Sequence, residues 1–294
     1  MNHRSYCALA GAIALALCCS TTVALAQSSG SQEGRIRIEY VPPKNPDHQK
    51  LYVMLQERRA LETIRTMFSP FRLPVDLVIR TVGCNSANGL YKREDGVPTV
   101  TLCYEYLQEI LDKMPKETTA AGVSPADAVV AQFIFAVAHE MGHAAFDLFD
   151  IPVLGREEDA ADGFATFLML QFRDDEKHRL IAGAAYAYRE FLKDYKKNPD
   201  VTVALAVFSS DHGLPEQRFA NLVCMAYGDD ATLFADVVER GFLPAARAKR
   251  CRYEYLILRH AMRRLLAPHV DMDAAKKVFN MRWLSAPDQR SAER

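Results

Sequence analysis

Residues 128–138 (AVVAQFIFAVA) are apolar around the circumference of a helix, and they run directly into His139-Glu140-Met141-Gly142-His143. A helix with no wet face belongs in the core. Two imidazoles and a carboxylate placed there need partners, because an unpaired buried polar group is costly. The start of the helix is marked just upstream. Ser124 is the N-cap, Pro125 takes the first position and Asp127 lies three residues after the cap. The chain must therefore fold around one long buried helix that carries polar chemistry in its second half.

The spacing of that chemistry has a mechanism. Residues four apart lie one turn apart on the same face, so His139 and His143 can reach one metal ion. Glu140 projects about 100° around the helix from His139. Its side chain is long enough to take a proton from a water and deliver it to a leaving amine.

Two histidines do not complete a zinc site. An extended motif with Gly at 146 and His at 149 is excluded, because Phe146 and Phe149 stand there. The acidic stretch Gly155-Arg156-Glu157-Glu158-Asp159-Ala160-Ala161-Asp162 follows instead. Acids at a helix start are favoured by the macrodipole without any metal. Here Glu158 and Asp162 share a helix face. Glu158 can ligate, and Asp162 can accept a hydrogen bond from the outer nitrogen of a ligating histidine. Glu157 is the rival ligand, but its i+4 partner is Ala161 and offers no such support. The small pair Ala160-Ala161 would let the second helix approach the first. The seven residues 149–155 span up to roughly 23 Å, enough to reverse direction and return.

The N-terminus differs in kind. His3 and Arg4 precede an apolar run over residues 8–17, and Ala24-Leu25-Ala26 makes a small-x-small cleavage signal before Gln27. This is the pattern of a secretory signal peptide over residues 1–26, and the apolar run is too short to span a bilayer. A lipoprotein site at Cys18 is disfavoured by Leu17. Removal of the signal takes Cys7, Cys18 and Cys19 and leaves Cys84, Cys103, Cys224 and Cys251. An even set in an exported chain implies disulfides, and nearest neighbours in sequence suggest Cys84–Cys103 and Cys224–Cys251. The expected location is periplasmic or secreted, with no transmembrane helix in the mature chain.

The rest of the chain reads as one α+β domain, mostly helical and zincin-like, with a small N-terminal β-sheet. Residues 27–34 are a Ser/Gly-rich leader, residues 35–284 the domain, and residues 285–294 a polar tail. Residues 35–40 (RIRIEY) alternate as a strand, and residues 47–68 carry one helical stripe. Residues 75–81 and 98–103 are β-branched and read as a hairpin with a long polar loop. Further helices are expected at 156–173, 177–196, 201–208, 215–227 and 245–266. His48, His178, His260 and His269 read as surface residues and Trp283 as packing. The formal net charge is −1 without a long basic run, so nothing points to nucleic acid or to an anionic membrane surface.

HEMGH followed by EDAAD resembles the gluzincin pattern HExxH…ExxxD of thermolysin-like and neprilysin-like peptidases. The resemblance implies His139, His143 and Glu158 as zinc ligands, Glu140 as catalytic and Asp162 behind the ligands. The spacer from His143 to Glu158 is shorter than in thermolysin-like enzymes, which implies a reduced fold around the site. More narrowly, the chain resembles a bacterial family of unknown function whose members are described as metallopeptidases. That likeness takes in TLCYEYL (101–107), the HExGH helix and DHGLPEQRFANLVCMAYG (211–228). It implies peptidase chemistry, for which a peptide or protein substrate is expected, and names no particular one.

Peptide hydrolysis also needs a donor to the developing oxyanion, and His212 and Arg218 are the candidates. A turn histidine and a structural ion pair are their ordinary alternatives. Residues 99–103 would be the edge strand that pairs with an extended substrate. Two other readings use the same motifs: a non-catalytic exported zinc-binding helical protein, or a zinc hydrolase of a non-peptide amide such as a cell-wall cross-link.

Overall fold

The structure is a computed structural model and describes residues 35–196 and 210–284. The expected signal peptide, leader and tail, and the helix expected over 201–208, lie outside the described residues.

The alternating strand β1 (Ile36–Tyr40) pairs in parallel with β2 (Leu77–Val82), and β2 pairs in parallel with β4 (Val97–Cys103). The segment expected as a long loop holds a further strand, β3 (Gly89–Glu94), antiparallel to β4. The sheet order is β1-β2-β4-β3. This corrects two expectations. The hairpin joins β3 to β4, not β2 to β4, and β4 is central, so it cannot be the edge strand. The turn explains the first correction. Asp95 and Gly96 both have positive φ (48° and 82°), the conformation a two-residue hairpin demands. Cys84–Cys103 bonds the segment before β3 to the end of β4. Glu105 fixes that segment further by accepting from the backbone N–H of Cys84 (3.0 Å) and Asn85 (2.8 Å).

The single helix expected over 47–68 is two, α1 (Gln49–Glu57) and α2 (Ala60–Phe68). The chain breaks at Arg59, which has φ 51°. In a continuous helix Leu51 and Leu55 would face away from Leu61, Ile64 and Met67, and the break lets both sets be buried. His48, expected at the surface, is buried beside Tyr104, with ring centroids 6.0 Å apart. Tyr104 opens α3 (Tyr104–Lys113), whose inner face is Tyr104, Leu107 and Ile110.

The central helix α4 (Pro125–Leu148) forms as its signals require, with Ser124 Oγ accepting from the Asp127 amide at 3.1 Å. It is apolar and long enough to cross a membrane, yet 78% of its most apolar window is buried inside the protein, as a core helix must be. Its end is a Schellman arrangement: Asp150 takes φ 51° and the Ile151 amide returns to the Phe146 carbonyl. Around α4 pack β3 and β4 on one side, and α5 (Glu157–Met169) and α6 (Asp174–Lys196) on others. An outer layer follows: α7 (Pro215–Asp229), the short α8 (Asp236–Glu239), α9 (Ala245–Leu266) and α10 (Met272–Phe279). Cys224–Cys251 joins α7 to α9. The two helices cross so closely that a Cβ on Gly228 would lie 2.3 Å from the Cys251 carbonyl oxygen. Trp283 packs on Phe172, and its amide donates to buried Glu176 at 2.7 Å. Of the other histidines expected at the surface, His178 stacks on Phe234 and His269 on Phe149, both partly covered, and His260 is exposed.

Candidate metal centre

The second half of α4 carries His139, Glu140 and His143, of which His139 and Glu140 are 5% and 7% exposed. The first turns of α5 bring Glu157, Glu158 and Asp162 against them. Close packing makes this possible. A Cβ on Gly142 would sit 3.2 Å from the Ala161 Cα, so the glycine inside HEMGH and the alanine of the acidic stretch set the helix separation.

Each histidine is backed by a carboxylate. His139 Nδ1 lies 2.8 Å from Asp162 Oδ1, and His143 Nδ1 lies 2.7 Å from Glu157 Oε1. A carboxylate accepts, so each Nδ1 carries a hydrogen, and with an ion bound each ring would be neutral and turn its Nε2 lone pair outward. Both Nε2 atoms face Glu158. The Nε2 atoms are 3.2 Å apart, and Glu158 Oε2 is 2.9 Å from that of His139 and 3.6 Å from that of His143. Adjacent donors on a tetrahedral zinc with 2.0–2.1 Å bonds stand roughly 3.3 Å apart, and the three separations bracket that value. The donor chemistry and spacing fit one ion. His139, His143 and Glu158 form a group whose ligand atoms lie within 4.8 Å of one another. The group Cys84, Cys103 and Glu105 also meets that spacing, but its two sulfurs are bonded to each other.

Electrostatics agree with a cation site. Burial alone would lower the His139 pKa, but Asp162 and Glu158 outweigh it and carry it up to about 9. The histidines in turn hold Glu158 far below the usual carboxylate range. Burial pushes Glu140 up. Among the described residues the Glu140 carboxylate takes no hydrogen bond, and its Oε1 lies 3.1 Å from where a Cβ on Gly89 would stand. Edge strand β3 thus passes directly over Glu140.

His212 and Arg218 both reach this region and take different places. His212 Nε2 is 2.8 Å from Glu158 Oε2, and its ring stacks on His139 with centroids 5.9 Å apart. Its side chain is 47% exposed. Arg218 turns to Asp162 instead, with Nε to Oδ2 and Nη2 to Oδ1 both 2.7 Å, and it lies over the Tyr188 ring. Asp162 therefore accepts from His139 and from Arg218 together, and these outweigh the burial that would raise its pKa.

Three contributors were not found from sequence. Glu157, the rival ligand in the sequence, instead backs His143 through its Nδ1. Arg156 donates to the carbonyls of Ser210 and Asp211, which fastens the His212 segment beside α5. Gly89 leaves room for Glu140. Only the alternation of β3 could have pointed to Gly89, and it is weak. Arg156 and Glu157 act through contacts that no local pattern encodes.

No curated protein and no solved structure matches the chain. A family model does match, over residues 40–266, which takes in β2 to β4, α4, α5, α7 and α9. The chain belongs to the family described as "Putative metallopeptidase", a membership that implies a bound metal and a peptide or protein substrate.

Proposed function

We propose that this chain is an exported zinc peptidase in which His139, His143 and Glu158 hold the ion and Glu140 is the general base. The observation that carries the reading is the convergence of His139, His143 and Glu158 beside a buried carboxylate that has no hydrogen-bond partner among the described residues. A bound zinc ion would polarise the scissile carbonyl and acidify the attacking water. Glu140 accepts the proton of that water and returns it to the leaving amine nitrogen. Burial raises its pKa above the ordinary carboxylate value, the direction that favours holding the proton it takes. Asp162 and Glu157 keep the two imidazoles in the tautomer that leaves Nε2 free.

Of the two candidate oxyanion donors, the contacts favour His212. It is solvent-facing and beside Glu158, whereas both prongs of the Arg218 fork are occupied by Asp162. Arg218 is then a positioning residue. The edge strand available to an extended substrate is β3, not β4. Export is supported by the two disulfides together with the signal-like residues 1–26, and the proposed domain is 35–284 between leader and tail.

A second reading has one observation in its favour. With His212 2.8 Å from Glu158, a fourth protein ligand would close the site and make the metal structural. A peptide-library digest with the parent and Glu140→Gln tests the main reading. Cleavage by the parent and none by the variant, both zinc-loaded, is expected. Equal cleavage would remove Glu140 from its role, and no cleavage by either would favour the structural site.

A further inference from the structure

A second cavity lies away from the metal centre. It measures about 550 Å³ and opens between the C-terminal halves of α5 and α9 and the face of α10. Its walls include Phe167, Leu168, Met262, Leu266 and Phe279. Leu168 is ten residues beyond Glu158 on α5, about 15 Å along the helix axis. The two sites are separate.

The two charged residues that line this cavity are Arg263 and Lys276. Both are exposed at its mouth, and Met272 beside them is 53% exposed. Arg263 has no acidic partner among the described residues, and Lys276 has only a solvent-exposed contact with Asp273 at 3.3 Å. The cations belong to a wider field. Residues 245–282 hold ten Lys and Arg (247, 249, 250, 252, 259, 263, 264, 276, 277, 282) against three acids (254, 271, 273), a local charge of +7 in a chain of net −1. The near-neutral whole-chain balance therefore conceals a basic C-terminal segment. A larger cavity of about 1300 Å³ by the first half of α4 has Arg58 as its one cation besides Arg179, which is paired with Asp127.

We infer that the α5–α9–α10 cavity binds a long-chain acyl anion, with the chain among the phenylalanines and leucines and the headgroup on Arg263 and Lys276. An apolar pocket of this size with a few polar groups at one end is the usual form of a small-ligand site. Apolar walls reward an alkyl chain by burial, and two cations at the mouth select a negative head. The shared chemistry fits a free fatty acid or the acyl chain of an anionic phospholipid.

The test is a fluorescence titration of the full mature chain with cis-parinaric acid, and with its methyl ester as the uncharged control. Saturable binding of the acid, at least tenfold weaker for the ester, is expected. Arg263→Glu/Lys276→Glu should weaken binding of the acid by tenfold or more, as should Met272→Glu. All these changes are at exposed positions, and circular dichroism and zinc content should match the parent. A second arm measures cosedimentation with phosphatidylglycerol and with phosphatidylcholine vesicles. Binding of the free acid without vesicle binding supports the site with a monomeric ligand, and binding of both supports it with a membrane source. Vesicle binding without saturable acid binding would overturn the pocket in favour of surface adsorption. So would ester and acid binding alike, or variants that bind as the parent does.

Discussion

Arg218 grips Asp162 with two parallel hydrogen bonds of 2.7 Å, and Asp162 in turn holds the imidazole of His139. The three residues form a line from α7 through α5 to α4, so the orientation of His139 depends on an arginine 56 positions beyond Asp162. Removing Arg218 leaves a largely buried carboxylate with one partner. Arg218→Ala should cost about 3 kcal/mol in urea unfolding and weaken zinc binding about 10–100-fold in a chelator competition. Arg218→Lys should recover only part of this, since an ammonium cannot reproduce the fork. Unchanged zinc affinity with a fall in kcat alone would mean that Arg218 contacts substrate instead.

Gly89 offers a way to disturb the base without touching the metal. A methyl group there would come within 3.1 Å of Glu140 Oε1 and displace it. Gly89→Ala should lower kcat on a cleavable peptide about tenfold or more, because small misplacements of a catalytic group are expensive. Zinc content should stay at the parental level. Parental kcat would show that Glu140 has room to move aside without consequence.

His212 separates the two readings of the site. As an oxyanion donor, its change to Ala should reduce kcat by about 10²–10³ and leave zinc affinity within a few-fold. As a fourth ligand, the same change would reduce zinc affinity steeply. Both quantities can be measured on one preparation.

Asp147 ties β3 to the end of α4 through the Tyr91 hydroxyl and through Arg93 Nε at 2.9 Å. Burial would raise its pKa, but these two partners outweigh it and hold the carboxyl below its ordinary value. A depressed carboxylate contributes stability above its unfolded pKa of about 3.9 and loses it as pH falls through the folded value. Amide exchange in residues 89–94 should therefore quicken relative to the core as pH drops below about 4. Asp147→Asn should exchange faster at neutral pH and lose most of that dependence. The effect is small, because the pair is solvent-exposed.

The parts of this molecule legible in sequence are those written locally. The buried helix, its Ser124 cap, the i,i+4 histidines and the i,i+4 pair Glu158 and Asp162 all follow from periodicity, and both disulfides join nearest neighbours. The sheet order is not written locally, because parallel pairing of β2 with β4 leaves no turn signal. Asp95-Gly96 marks only the β3–β4 hairpin, and β3 is too polar to announce itself. The Arg156 clamp, the Glu157 support of His143 and the Gly89 clearance arise only when distant segments meet. The basic excess over residues 245–282 is masked for another reason: a whole-chain charge sums all regions together.

The central claim is that three side chains hold one zinc ion, and metal analysis of the purified mature chain tests it most directly. About one zinc per chain is predicted for the parent and for Glu140→Gln, with little or none in His139→Ala or Glu158→Ala. A folded parent that carries no zinc after purification with zinc present, or a Glu158→Ala variant that retains it fully, would contradict the account.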